Sequence, residues 1–423
     1  MKLAIVGCYH QGLVAAACNA LKNNTVYIYD SDLNLRNNLK HKKLPIFEPG
    51  LDEIYKKYYN NKKIIVCDSL LEIFKKVNII FLAHDIPINN KDESDLKIFH
   101  NDLNQIIKFN HDKEKFLVIS AQVPANTCNE IEKKIKLLKN KIKIAYIPEN
   151  LKLGEAIERY LNPPLPVIGA NSKLIFNKAK KIMKIFSIDW HMIDLAGAEM
   201  IKHVLNSFLA LRIAYINELN LLSKKFNINF DNISKLINLE PRLSGLKNIN
   251  PGLAFSGGTL ARDLKTLKKI SRNFKLDLKL INSIYSSNIN HSNLLIKKIK
   301  NIIFINKIKS VGIIGLSYKP DTDTLRRSFS IELIKKLKLI KNVNVYDINY
   351  RNKTNKKIHN AKIFNNFTSF YNSSKLIILM NNKKTYLNLI KKNIKNDKTK
   401  KFIFDTSREI NAKVKKNIKI IRI

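Results

Sequence analysis

The chain has 423 residues, 45% hydrophobic and 26% charged, and its 76 Lys+Arg against 34 Asp+Glu leave a formal charge of +42. That length exceeds one ordinary domain and predicts two or three. No apolar run reaches the roughly 18–20 residues of a membrane span, and the opening MKLAIVGCYHQG is broken by Gly7, His10 and Gln11 too early for a signal peptide, so a cytoplasmic globular protein without a membrane partner is expected. The lysines spread along the whole chain with no aromatic interleaving and no base-reading motif. The charge is therefore read as drift toward Lys, Asn and Ile, with no specific nucleic-acid partner. A basic surface still favours phosphorylated ligands. Cys8, Cys18, Cys67 and Cys128 are scattered, without a CxxC pair or metal spacing. Reduced thiols and no metal site are expected.

In chain order, KLAIV at 2–6 reads as a strand, GCYHQG as a turn, 11–22 as an Ala-rich helix and TVYIYD as a second strand ending at Asp30. Strand, glycine turn, helix, strand and acid in that order open a βαβ dinucleotide fold. Further strand runs lie at 64–66, 78–83, 116–120 and 143–147, with helical patterns between most of them. Such alternation predicts a parallel, doubly wound sheet. From 196 to 225 apolar residues recur at helical spacing without Pro, and without Gly after Gly197. The helix should be roughly 45 Å long at about 1.5 Å per residue, long enough for a dimer face. Helical pattern continues to 301. A second start follows at 309–320, then a helix at 328–341 and strands ending at Asp347, at 375–380 and at 401–405. The expected class is α/β: two Rossmann-like doubly wound domains joined by a long central helix and a helical middle. The expected boundaries are 1–195, 196–301 and 302–423.

A dinucleotide turn needs glycines for the bend, for backbone approach to the pyrophosphate and for helix–strand packing. Gly7 and Gly12 supply the first and third; Tyr9 stands at the middle position. Asp30 lies 23 residues beyond Gly7 at a strand end, placed to accept ribose hydroxyls, which favours NAD over NADP. His10 and Gln11 complete the turn. His10 is equally a group facing an anion or a substrate carbonyl and a helix-start residue facing solvent. Trp190, the only tryptophan, is read as packing.

Six further stretches resemble the UDP-glucose/GDP-mannose dehydrogenase family. PIFEPGLDE at 45–53 is similar to its P-I-Y-E-P-G-L stretch and SAQVPANT at 120–127 to its S-x-V-P-x-G-T turn. PENLKLGEAIERYLNP at 148–163 is similar to its sugar-contacting P-E-F-L-R-E-G-x-A-I block. AEMIKHVLNSFLALRIAYINE at 198–218 resembles its central helix, NPGLAFSGGTLARD at 250–263 its P-G-x-G-F-G-G-S-C-x-P-K-D block, and GLSYKPDTDTLRRS at 315–328 its G-x-x-F-K-x-x-T-D-D-x-R-E-S block. The blocks run in family order over nearly the whole chain. The resemblance implies an NAD-dependent nucleotide-sugar 6-dehydrogenase that makes a uronate for polysaccharide synthesis, and the long central helix points to a homodimer. It implies that Glu149 assists proton transfer and hydrolysis, that Lys202 and Asn206 touch the reacting sugar carbon, and that Asp263 holds a water. It places Leu151, Phe255, Gly257, Lys319, Arg326 and Arg408 against the sugar nucleotide, and Pro87 and Gln122 beside the cofactor.

The chain also departs from the family. The ungapped match puts Thr259 where the family has its catalytic cysteine, a shift by one puts Leu260 there, and no cysteine follows Cys128. A threonine hydroxyl is a weak nucleophile without an activating base. Ile86 replaces a family threonine and Arg262 a family lysine. A two-electron oxidoreductase or epimerase and a non-catalytic nucleotide-sugar binder are the alternatives this leaves open.

Overall fold

The computed structural model describes residues 1–87, 94–109, 113–186, 188–240, 250–317, 325, 327–350, 358–381, 383–410 and 417–423. They divide into two compact units, Met1–Leu205 and Asn206–Ile423. In the first, strands β1 Lys2–Val6, β2 Thr25–Tyr29, β3 Ile64–Val66, β4 Ile79–Leu82, β5 Lys115–Ile119, β6 Ile142–Tyr146, β7 Val167–Gly169 and β8 His191–Ile193 form one sheet. Its order is β3-β2-β1-β4-β5-β6-β7-β8. Alternate residues of β1 explain the layering: Leu3 and Ile5 join one apolar core, Ala4 and Val6 the other. Both faces are thus covered, as a parallel sheet requires. The Ala-rich helix His10–Leu21 is buried over nearly its whole length, because small side chains let it lie flat between sheet and neighbouring helices.

The parallel pattern is broken once, where β6 and β7 pair antiparallel through Tyr146 and Gly169. The sequence reading did not foresee β7 and β8. Each has three residues, too few for a period-2 signal. The strand order reverses between β1 and β4, and in such sheets ligands bind beyond the carboxyl ends at that point.

In the second unit β9 Ser310–Ile314, β10 Asn342–Tyr346, β11 Ala361–Phe364, β12 Leu376–Leu379, β13 Lys401–Asp405 and β14 Ile418–Arg422 form a wholly parallel sheet of order β11-β10-β9-β12-β13-β14. The helix expected at 328–341 spans Phe329–Lys336; it stops early because β10 begins at Asn342 and the chain must first reverse. The long helix runs Leu195–Lys225, followed by helices Phe230–Ile237, Thr259–Asn273 and Lys279–Ile305. The fold is α/β, with two Rossmann-like units and a helical region between them in the chain. Among the described residues no helix is long and apolar enough to cross a membrane.

Candidate active site

The turn after β1 needs its first and third glycines. Gly7 sits at φ 91°, and a Cβ there would lie 2.9 Å from the His84 Cα. A Cβ on Gly12 would lie 1.7 Å from the Gly7 carbonyl oxygen. Tyr9 is the residue before the helix, with φ −88° and an exposed side chain. Its φ is negative, so this position is not in the left-handed region that demands glycine. The Gly7 N–H donates to Tyr29 O at 2.9 Å. The Cys8 N–H donates to Asp30 Oδ2 at 2.7 Å, and Asp32 N–H to Oδ1 at 2.9 Å. Asp30 therefore anchors the turn from the end of β2, where the sequence placed it.

His10 does not face solvent. It is buried, and its Nε2 meets Glu48 Oε2 at 2.9 Å. Glu48 also accepts the N–H groups of Gly154 at 3.0 Å and Ala156 at 2.9 Å. Burial pushes its carboxyl up, but the His10 ring and these two N–H bonds outweigh that and hold it below its ordinary range. Glu48 so ties the turn after β1 to the 148–163 block. Its motif was visible in the sequence; the buried partner that gives it this role was not. Gln11 donates from Nε2 to Ser120 O at 2.6 Å and Ser120 Oγ at 2.7 Å.

Three other groups escaped the sequence reading. Asp85 Oδ2 accepts the backbone N–H groups of His10 and Gln11, each at 2.9 Å. His84 and Asp102 form a buried pair at 2.9 Å directly against Gly7. Glu199, fully buried, accepts the N–H groups of Asn126 at 2.6 Å and Cys128 at 2.7 Å, pinning the SAQVPANT turn to the start of the long helix. Burial raises the Glu199 carboxyl above its usual range, with Cys128 and Asn126 opposing. His84 and Asp102 lie 18 positions apart, and the Asp85 and Glu199 partnerships each span more than 70. In that turn Gln122 is buried, and Pro87 lies exposed at the end of the HDIP stretch.

Within the first unit, the structure brings Glu149 and Lys202 together. Lys202 Nζ stands 3.3 Å from Glu149 Oε2, with little of either side chain exposed. The Leu151 N–H closes on Glu149 Oε1, which fixes the carboxylate's direction. A cavity of about 50 Å³ is lined by Gln11, Ser120, Glu149, Leu151, Tyr160 and Trp190 among others; Trp190 is a packed wall, as expected. A carboxylate with one oxygen on an N–H and the other on an ammonium is placed to take or give a proton.

In the second unit, Asn206 Nδ2 donates to the fully buried Asp263 Oδ2. The Arg262 Nε lies 3.6 Å from Asp263 Oδ1. Asn206 follows Lys202 by four residues on the same helix. Phe255 and Asn288 exchange backbone and side-chain bonds at 2.8 and 3.0 Å. They line a cavity of about 170 Å³ with Gly257, whose φ is 78°. Thr259 is the exposed first residue of its helix. Arg408 is engaged by its own unit: Nε lies 2.6 Å from Asp231 Oδ1 and Nη1 donates to Asn220 Oδ1 at 3.2 Å. Lys319 and Arg326 lie outside the described residues.

All four cysteines are free and buried. Burial pushes Cys18 and Cys67 up to about 12 and raises Cys8 and Cys128 well above the ordinary thiol range, so none is a ready thiolate at neutral pH.

Residues 1–187 match the NAD binding domain of the UDP-glucose/GDP-mannose dehydrogenase family, 196–290 its central domain and 312–412 its UDP binding domain. A UDP-glucose 6-dehydrogenase of Rickettsia bellii is 30% identical over 341 residues, 80% of this chain and 78% of its own length. A UDP-glucose dehydrogenase structure from Pyrobaculum islandicum superposes with a TM-score of 0.86 at 21% identity, over 99% of this chain and 96% of that one. A UDP-D-ManNAc dehydrogenase from Pyrococcus horikoshii gives 0.83 at 21% identity, over 100% and 99%. With a glycine cradle and a strand-end acid that suit NAD, and a paired lysine and glutamate beyond them, the chain belongs to the UDP-glucose/GDP-mannose dehydrogenase family of NAD-dependent nucleotide-sugar dehydrogenases.

Proposed function

We propose that the protein oxidises the C6 hydroxyl of a UDP-sugar, glucose being the first candidate, to the uronate for polysaccharide synthesis. The observation that carries this reading is the Glu149–Lys202 pair at 3.3 Å. Lys202 stabilises the oxygen that loses its proton, and Glu149 takes up or relays that proton. Positioned transfer of this kind contributes about 10²–10⁴-fold in rate. NAD, when bound, supplies the hydride acceptor. Asp30 receives its ribose hydroxyls, and the Gly7–Gly12 turn lets backbone approach its diphosphate. Asp263, held by Asn206, orients the water that hydrates the aldehyde. Phe255, Gly257, Lys319, Arg326 and Arg408 are assigned to the sugar nucleotide, and Pro87 and Gln122 to the cofactor.

Oxidation to the uronate removes four electrons and needs two NAD. Without a thiol, the second oxidation must act on the hydrated aldehyde, with Glu149 as the base that accepts a proton from the added water. Thr259 is not assigned a covalent role. The three-part division at 195 and 301, a homodimer through the long helix, and a cytoplasmic location complete the reading. Counting NADH formed per UDP-sugar consumed tests it: two supports uronate formation, and one means a two-electron oxidoreductase instead.

A further inference from the structure

The N-terminus of the helix His10–Leu21 is where a dinucleotide places its diphosphate, on free backbone N–H groups at the positive end of the helix dipole. Here those groups are not free. The His10 and Gln11 N–H groups both donate to one oxygen of Asp85, at 2.9 Å each. Asp85 comes from the segment just after β4, the strand beside β1 at the point where the sheet order reverses. A carboxylate from the chain itself thus sits in the seat of the cofactor's anion.

We propose that Asp85 is a built-in competitor for the cofactor diphosphate, so that binding exchanges a carboxylate for a phosphate on the same two N–H groups. This rests on the assignment of NAD as cofactor. Two negative groups cannot share the seat, because each would lose the donors and gain a like charge. The side chain must leave or become neutral. It has room to leave, since Asp85 is an exposed residue overall. Its carboxyl is nonetheless enclosed enough by the turn that burial pushes it up to about 6, against the downward pull of the Gln11 and His10 N–H groups and the His10 ring. The charged groups facing it are His10, itself paired with Glu48, and Glu149, paired with Lys202; Glu149 adds to the rise. A neutral carboxyl gives up its claim as an anion. Cofactor affinity therefore increases as pH falls through about 6.

The test is calorimetric titration of the full chain and of Asp85→Asn with NAD⁺, ADP-ribose and adenosine between pH 5.5 and 7.5. If only the protonated form admits the diphosphate, apparent affinity scales with that fraction, about 20-fold over this interval. The wild type should bind NAD⁺ and ADP-ribose more tightly at pH 5.5 by about that factor. Asp85→Asn should bind both tightly at either pH, and adenosine should be indifferent to pH and variant. His10 and Glu48 are present in both proteins, so the difference between the two profiles isolates Asp85. Asp85→Ser serves if the asparagine variant does not fold. Equal affinities and parallel pH profiles would reduce Asp85 to a plain helix cap and overturn the proposal alone. Failure of both proteins to bind NAD⁺ or ADP-ribose at any pH would overturn the NAD assignment, and the proposal with it.

Discussion

At Gly7 the chain leaves a β-strand at φ 91°, the glycine N–H donates to Tyr29 O, and the next N–H donates to Asp30. At Gly315 it leaves a strand at φ 88°, the N–H donates to Tyr346 O at 3.0 Å, and the next N–H donates to Asp347 at 2.7 Å. The residue pressing on the glycine is His84 in one unit and Asn381 in the other. What differs is the distance to the next helix. Among the described residues it starts three residues after Gly7, at His10, and fourteen after Gly315, at Phe329. Ser328 caps that second helix by accepting the Ser330 N–H at 3.2 Å, and Ser330 Oγ donates to Gly315 O at 2.7 Å. Among the described residues, only the first turn passes at once into a helix, and the first N–H groups of that helix donate to a distant carboxylate.

The assignment of proton chemistry to the first unit has the largest consequence. Lys202→Ala should cut turnover by about 10²–10⁴-fold while the circular dichroism spectrum and UDP-sugar affinity stay near wild type. Turnover that survives would remove the Glu149–Lys202 pair from the chemistry.

Next comes the glycine contrast. Gly12→Ala forces a Cβ onto the Gly7 carbonyl; overpacking of this kind costs about 1–3 kcal/mol, and NAD binding should be lost. Gly315→Ala meets Asn381 Cβ at 2.5 Å and should lower thermal stability similarly, with NAD affinity unchanged. Calorimetric scans and titrations on both variants would erase the contrast if both lost the cofactor.

A smaller effect separates the two acids. Removing a charged hydrogen-bonding partner costs about 1.5–3 kcal/mol, so Asp30→Ala should weaken NAD roughly 10- to 100-fold and leave UDP-sugar affinity alone. Asp347→Ala should spare NAD. Equal loss of both ligands in either variant would contradict the division of labour.

The mildest changes concern Tyr9 and Thr259. With Tyr9 exposed and its φ ordinary, Tyr9→Gly should hold or slightly improve NAD affinity; a folded variant that no longer binds NAD would make Tyr9 a contact. Thr259→Ala should leave the first NADH per sugar near the wild-type rate. Thr259→Cys should produce a covalent sugar adduct in intact-protein mass spectrometry. Loss of all uronate in Thr259→Ala would assign the hydroxyl to the second oxidation.

Two α/β units, the long helix, and the glycines and acid of the turn after β1 are all legible in the amino-acid sequence. Those signals are local: period-2 and helical patterns, and a backbone bend that only glycine makes. Ordered motifs also singled out Glu149, Lys202, Asn206 and Asp263, which the fold pairs as Glu149 with Lys202 and Asn206 with Asp263. Tertiary structure alone decided what the polar side chains meet. Asp85 reads as an ordinary loop acid until the chain folds and sets it 75 residues back on the His10 N–H. Glu48 becomes a junction only once Gly154 and Ala156 reach it from more than 100 residues away, and His10 chooses Glu48 over solvent in the same way. The short strands β7 and β8 exist because neighbouring strands supply their hydrogen bonds, not because three residues have a preference of their own. Backbone geometry is written in near neighbours, whereas the seat of an anion depends on which distant carboxylate arrives there.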